Sequence, residues 1–217
     1  MSPDSRVPVR AQLAVKRTLD LVGSAMLLVV LLPLLAAIGT LVKATSPGEV
    51  VFRQKRAGRG GRPFTIYKFR TMVQDAPRSP LGTYCYRDDP RITRAGRLLR
   101  KTSLDELPQL WNVLRGDMSF VGPRPDLLHH VERYTPAQRR RLEMRPGITG
   151  WAQVRGRNAI PWDRRIELDL EYIDAWSLAR DLHIVLRTIV VVLTREGGEL
   201  PKRLGDAPWH ESDRKAS

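Results

Sequence analysis

The chain has 217 residues, with 37 Lys and Arg against 23 Asp and Glu, a formal charge of +14 and a pI near 10.8. That length allows one ordinary core plus an extra segment rather than two catalytic domains, and the charge calls for an anionic partner: nucleic acid, anionic lipid or a phosphorylated substrate. A single cysteine, Cys85, excludes an internal disulfide, and no Cys/His cluster has zinc spacing, which fits a reducing compartment and leaves Cys85 a structural bystander.

Residues 1–15 read as a basic tail carrying Arg6 and Arg10. Residues 16–44 then hold Leu21 to Val42, a run of 22 residues without a charge. As a helix it would be about 33 Å long, enough to cross a hydrocarbon core. Two details argue for a re-entrant segment instead. Pro33 near its middle kinks the helix, and basic residues flank both ends, Lys16 and Arg17 before it and Lys43, Arg53, Lys55 and Arg56 after it. Positive flanks favour one, cytoplasmic, side, and a bent helix enters and returns with its backbone still bonded. A signal peptide with its cleavage region in residues 35–44 is the rival, but the apolar run is longer than such cores usually are.

Residues 45–196 form one catalytic domain in this reading. Val50 to Phe52 and Phe64 to Arg70 are β-prone runs around a Gly/Arg-rich loop, Arg56 to Arg62, and predict a hairpin. The loop suits either phosphate or anionic headgroups. The interleaved basic and aromatic residues also resemble a nucleic-acid platform. Val73 to Arg91, rich in turn residues and acids such as Asp75, Pro77, Pro80, Gly82 and Asp88, reads as a loop bordering the site. Arg91 to Arg100 places Ile92, Ala95, Leu98 and Leu99 at helical spacing. Such a helix lies in a membrane interface or packs on the core.

Leu98 to Pro125, LLRKTSLDELPQLWNVLRGDMSFVGPRP, puts adjacent carboxylates, Asp105 and Glu106, among arginines and turn residues. An acyl-phosphate mechanism needs an ionised carboxylate as nucleophile and cations to neutralise the phosphoryl group it attacks; Asp105, Arg100 and Arg124 meet both needs. The competing reading is a capping box, Ser103-x-x-Glu106, at a helix start. Adjacent helical residues point about 100° apart, so the two carboxylates have different roles. Val121 to Pro125 forms a rigid turn presenting Arg124, suited to bidentate phosphate contact. Met144 to Trp151 is a second stiff loop, in which Arg145 or backbone donors meet a nucleotide. Glu167 to Trp176 and Asp181 to Leu193 read as helices, the second too short to span a bilayer, and residues 197–217 as a mobile tail.

Lys16-Arg17-x-x-Asp20, IYKFRTM at 66–72, SLDELPQLWNVLRGDMSFVGPRP at 103–125 and RPGITGWAQVRGRN at 145–158 occur in order from Lys16 to Leu193. Together they resemble the monotopic phosphoglycosyl transferases, bacterial sugar transferases that start surface glycan assembly. The resemblance implies an α/β, helix-rich monotopic membrane protein with a re-entrant helix bent at Pro33, a small β-hairpin and amphipathic interfacial helices. The family often has Ser before that proline, where this chain has Leu32. It implies transfer of a phosphosugar from a UDP-sugar to polyprenyl (undecaprenyl) phosphate, releasing UMP, through a phosphosugar-aspartyl intermediate on Asp105. Glu106 would orient Asp105, manage a proton or join it in holding Mg²⁺. Lys68, Arg100, Arg124, Arg145 and Asp181 are the expected substrate-binding residues. The expected partners are the two substrates and anionic lipid headgroups at the cytoplasmic face of the bacterial inner membrane, without nucleic acid and with an oligomer left open. The alternatives are one-step transfer with Asp105 as a metal ligand, and a membrane-tethered nucleic-acid or scaffold protein. Neither the sugar nor the glycan pathway is encoded in these motifs.

Overall fold

The helix that opens the described chain breaks where the sequence places its proline. α1, Val9–Val30, and α2, Leu32–Thr45, meet at Leu31 at an angle of 63°. Pro33 stands in the first turn of α2, where a missing N–H costs little, but within one continuous helix its ring would strike the preceding turn. Leu31 N still reaches Leu27 O at 2.9 Å and Leu35 N reaches Leu31 O at 2.8 Å, so the bend leaves the bonds on either side intact. The structure is a computed structural model that describes residues 9–74, 76, 85–86, 88–156 and 159–194. Residues 1–8 of the expected basic tail, Asp75, residues 77–84 and Arg87 of the expected loop, and the expected tail 197–217 lie outside the described residues. Residues 9–15 are helical, so α1 begins inside the stretch read as a tail.

β1, Val51–Ala57, pairs antiparallel with β2, Pro63–Phe69, from Val51↔Phe69 to Ala57↔Pro63, which is the hairpin read from the sequence. The helix expected over 91–100 is α3, Arg94–Thr102, capped by Thr93 Oγ1 accepting from Gly96 N at 2.9 Å. Gly96 is required there: a Cβ would lie 2.0 Å from Thr71 O. After a turn come α4, Gln109–Arg115, and the short strand β3, Ser119–Val121. Two small helices follow, α5, Leu128–Glu132, and α6, Pro136–Arg139. β4, Gly147–Thr149, then lies parallel to β3, a pair the sequence did not announce. α7, Trp151–Val154, α8, Trp162–Asp174, and α9, Leu178–Thr194, complete the described fold.

Four apolar clusters hold these elements. Ile38 and Val42 of α2 pack with Phe69 and Leu99, placing α2 on the hairpin and α3. Phe64, Ile66, Val113 and Met118 join the hairpin to α4, where Asn112, fully buried, donates to Thr65 O at 2.7 Å and accepts from Tyr67 N at 3.1 Å. Ala57, Val131, Tyr134 and Ile166 tie the hairpin to α5 and α8, and Val121, Trp151, Leu168, Tyr172, Ile184 and Val191 form the C-terminal core.

α1 is bound to this body by three polar residues of the Lys16-Arg17-x-x-Asp20 motif. Lys16 Nζ donates to Val121 O at 2.9 Å and Asp181 Oδ2 at 2.5 Å. Arg17 donates to Val113 O and Leu114 O at the C-terminal end of α4, and Asp20 Oδ1 accepts from Ser119 Oγ and Phe120 N, both at 3.0 Å. Around and beyond these residues the helix pair exposes Val15, Leu19, Leu21, Val22, Met26, Val29, Val30, Leu32, Leu34 and Leu41. Among the described residues no single helix is long and apolar enough to cross a membrane, whereas the bent pair is so when taken together.

Candidate active site

The two carboxylates sit on a tight turn whose path is set by one strained residue. Ser103, at φ 59°, ends α3 in the left-handed conformation and is the only non-glycine residue with positive φ among the described residues. Such backbone is uncommon for a residue with a Cβ and concentrates where structure serves a site. The chain then makes a single 3₁₀ turn, Leu104–Glu106, before α4. Leu104 and Leu107 pack against the Ile38, Val42, Phe69 and Leu99 cluster, so the turn is anchored to α2. The capping box does not form: the Ser103 side chain makes no cap bond, and Glu106 is engaged elsewhere.

Glu106 Oε1 accepts from Lys68 Nζ at 2.9 Å and from Arg124 Nη2 at 2.7 Å, while Oε2 faces Arg124 Nη1 at 3.4 Å. Burial alone would raise this carboxyl, but Arg124 and Lys68 outweigh it and hold it well below the usual range. Asp105, 9% exposed, makes no hydrogen bond or ion pair among the described residues. Burial, and then the neighbouring Glu106 charge, push it up to about 6 against the partial opposition of Lys68, Arg100 and Arg124. Glu106 in turn raises Arg124, while burial lowers Lys68. One carboxylate is therefore a fixed anion that aims two cations, and the other is desolvated, uncommitted and close to positive charge. Pairs driven apart in this way carry different chemical roles.

The same geometry bears on a divalent cation. No group of three or more His, Cys, Asp and Glu side chains able to hold a metal occurs among the described residues. Glu106 has both cations in place, so a clamp of Asp105 plus Glu106 does not fit without displacing Lys68 or Arg124. The free carboxylate of Asp105 fits Mg²⁺ in the way that ion is usually held, through one carboxylate with waters and substrate phosphate.

The other expected residues fall in three places. Arg100 acts on Asp105 through charge, while its Nε donates to Thr71 Oγ1 at 2.7 Å and its Nη1 meets Cys85 Sγ at 2.8 Å. Burial pushes the Cys85 thiol up, away from the thiolate form. Arg145 stands apart from the dyad: its Nε donates to Gly116 O at 3.0 Å, and its charged neighbours are Arg17, Arg59 and Asp20. Asp181 is also apart, its two oxygens taken by Lys16 and by Tyr172 OH at 2.7 Å. The structure thus brings Lys68, Arg100, Arg124, Asp105 and Glu106 together and makes Asp181 a tie between α1 and α9.

Comparison with known proteins now decides the kinship. The sequence profile of the bacterial sugar transferases matches residues 11–195. A Bacillus subtilis (strain 168) protein called uncharacterized sugar transferase EpsL is 47% identical over 182 residues, covering 84% of this chain and 89% of that one. UDP-glucose:undecaprenyl-phosphate glucose-1-phosphate transferase of Caulobacter vibrioides is 48% identical over 191 residues, covering 83% and 70%. Undecaprenyl-phosphate galactose phosphotransferase of Salmonella typhimurium is 41% identical over 202 residues, 87% of this chain but 42% of that longer protein. The chain belongs to the bacterial sugar transferase family.

In this sugar transferase a buried network missed by sequence reasoning supports the Arg124 loop. Arg141 Nη2 donates to Arg124 O at 3.0 Å and its Nε to Asp169 Oδ2 at 2.6 Å. Its Nη1 donates to Tyr134 OH at 2.6 Å, and that hydroxyl donates to Asp126 Oδ2 at 2.8 Å. Arg56 Nη1 donates to Pro125 O at 3.3 Å; burial and the Arg124 charge bring this guanidinium down to about 10. No spacing signalled Arg141. It lies in the run Arg139-Arg140-Arg141, which reads as a solvated charge cluster.

Proposed function

We propose that this sugar transferase moves a phosphosugar from a UDP-sugar to polyprenyl phosphate in two displacements, at a membrane entered by the α1–α2 pair. The observation that carries this reading is the split of the dyad, with Glu106 committed to Lys68 and Arg124 and Asp105 left uncommitted. Relatives named for glucose-1-phosphate and galactose phosphate transfer to undecaprenyl phosphate support the reaction class. The exposed apolar residues of α1 and α2, and those of α9 (Leu182, Leu186, Ile189 and Leu193), support the membrane placement.

In the first displacement an Asp105 oxygen bonds to the phosphorus bearing the sugar, and the bond from that phosphorus to the bridging oxygen breaks, releasing UMP with the electron pair. In the second, a polyprenyl phosphate oxygen bonds to the same phosphorus and the Asp105 carboxylate departs, giving polyprenyl diphosphate sugar. Arg124, aimed by Glu106 and backed by Arg141, holds the phosphoryl oxygens, with Lys68 and Arg100 adding charge where it develops. Mg²⁺, when bound, supplies further neutralisation of the diphosphate. The second reading, one-step transfer with Asp105 as the metal ligand, draws on the same uncommitted carboxylate.

The test is a panel of UDP-sugars with undecaprenyl phosphate and purified protein, followed by UMP release. At least one sugar should turn over, and Asp105→Asn should abolish it. Absence of UMP release with every sugar would remove the reading.

A further inference from the structure

A cavity of about 300 Å³ lies between α1, the hairpin tip, the residues before β4 and the C-terminal end of α8. Arg17, Arg59 and Arg145 line it, and none has an ion pair among the described residues. Each is pinned to backbone carbonyls: Arg17 to Val113 O and Leu114 O at 2.7 and 2.9 Å, Arg59 Nε to Glu143 O at 2.9 Å, and Arg145 Nε to Gly116 O at 3.0 Å. The terminal nitrogens of Arg59 and Arg145 are left without a protein partner among the described residues, in the planar fork that suits phosphate.

The other charged groups lining the cavity already have partners. Asp20 is taken by Ser119 and Phe120 N, Lys16 turns to Asp181, and the Glu143 carboxylate lies 3.5 Å from Arg140. Burial and the charges of Arg17 and Arg59 lower Arg145 against the smaller opposition of Asp20, so positive charge outweighs negative charge around it. Ile173 and Trp176 supply an apolar wall.

We propose that this cavity is a second anion site, which binds a phosphate group other than the one attacked at Asp105. The two places lie at opposite ends of the hairpin: Lys68 is near the end of β2, while Arg59 precedes its start, and Pro63 to Lys68 alone spans about 17 Å at ~3.3 Å per residue. The phosphate comes either from a water-borne ester or from a phospholipid headgroup. The headgroup source rests on the membrane placement proposed above, since the exposed apolar residues of α1, from Val15 and Leu19 onward, lie beside Lys16, Arg17 and Asp20 in sequence.

Residue-resolved modification by phenylglyoxal, followed by peptide mass spectrometry on the full chain, separates these sources. In neutral detergent, inorganic phosphate should slow modification of Arg59 and Arg145 by about fivefold or more relative to chloride at equal ionic strength, while exposed Arg62 is unaffected. Protection by phosphate assigns a water-borne ligand. Protection by phosphatidylglycerol vesicles, but not by phosphate or phosphatidylcholine vesicles, assigns a headgroup. Protection by neither, or equal protection by phosphatidylcholine, overturns the proposal. Protection of Arg124 by a UDP-sugar reports the dyad separately, so failure there leaves this result standing.

Discussion

Arg124 Nη2 donates to Glu106 Oε1 at 2.7 Å, and in doing so it fixes the acid that stands beside Asp105 in sequence without touching Asp105 itself. The carboxylate expected to react is therefore surrounded by charge but not neutralised by contact. A nucleophile whose lone pairs were already donated to a guanidinium would be less reactive, and this arrangement avoids that.

The first consequence is a pH profile. Asp105 must be ionised to attack, and burial with Glu106 pushes it up to about 6. kcat/KM should therefore fall about tenfold per unit below that pH. Arg124→Ala removes a cation that holds Asp105 down, so the acid limb should move to higher pH while the plateau falls by about 10². Lys at this position should rescue only partly. A profile flat down to pH 5 would contradict the assignment.

A second consequence concerns stability. Asp105 titrates near 3.8 unfolded and near 6 folded, so the folded state binds its proton more tightly. Its stabilising protonation is present at low pH and lost as pH rises through about 6. Asp105→Asn, which cannot ionise, should be more stable than the parent at pH 8 by up to ~3 kcal/mol, at ~1.4 kcal/mol per pKa unit. The gain should shrink toward pH 4. Denaturant unfolding at the two pH values checks it; a variant less stable at pH 8 refutes it.

Asp181 should behave as a structural tie. Its pair with Lys16 is buried, the side chains being 12% and 10% exposed, and joins residues 165 positions apart. Asp181→Asn or Lys16→Met alone should lower stability by about 3 kcal/mol, because each strands a buried charge, and Lys16→Met with Asp181→Leu should recover part of that loss. Denaturation of the three variants decides it. A raised KM with unchanged stability would instead make Asp181 a substrate residue.

Much of this site was legible because its signals are local. Pro33 marks the bend, β-prone runs around glycines mark the hairpin, and Asp105-Glu106 with Arg100 and Arg124 marks the dyad cluster. What escaped depends on long-range contact. The parallel pairing of β3 and β4 joins two three-residue strands too short to show a period. The Arg141–Asp169 pair gives no spacing signal, and Ser103-x-x-Glu106 matched a capping box although Lys68 and Arg124 claim the glutamate. The stiff loop suggests Arg145 as a nucleotide contact, but its place beside Gly116 and Arg59, apart from the dyad, depends on packing that no local signal carries.

Topology follows from the bent helix pair. If α1–α2 enters and leaves on one side, Ser5→Cys and Arg62→Cys in a Cys85→Ser background should both be shielded from a membrane-impermeant maleimide in intact cells. Both should label after permeabilisation. Opposite accessibility would mean a spanning arrangement.

The central claim is that Asp105 becomes covalently phosphorylated, and the partial reaction tests it. Purified protein is mixed with Mg²⁺ and an accepted UDP-sugar, without polyprenyl phosphate. The account predicts one equivalent of UMP in a rapid burst, with the phosphosugar mass on the peptide containing Asp105, and neither burst nor adduct in Asp105→Asn. UMP released only when polyprenyl phosphate is added, with no adduct trapped under conditions that preserve acyl phosphates, would contradict it and leave one-step transfer as the mechanism.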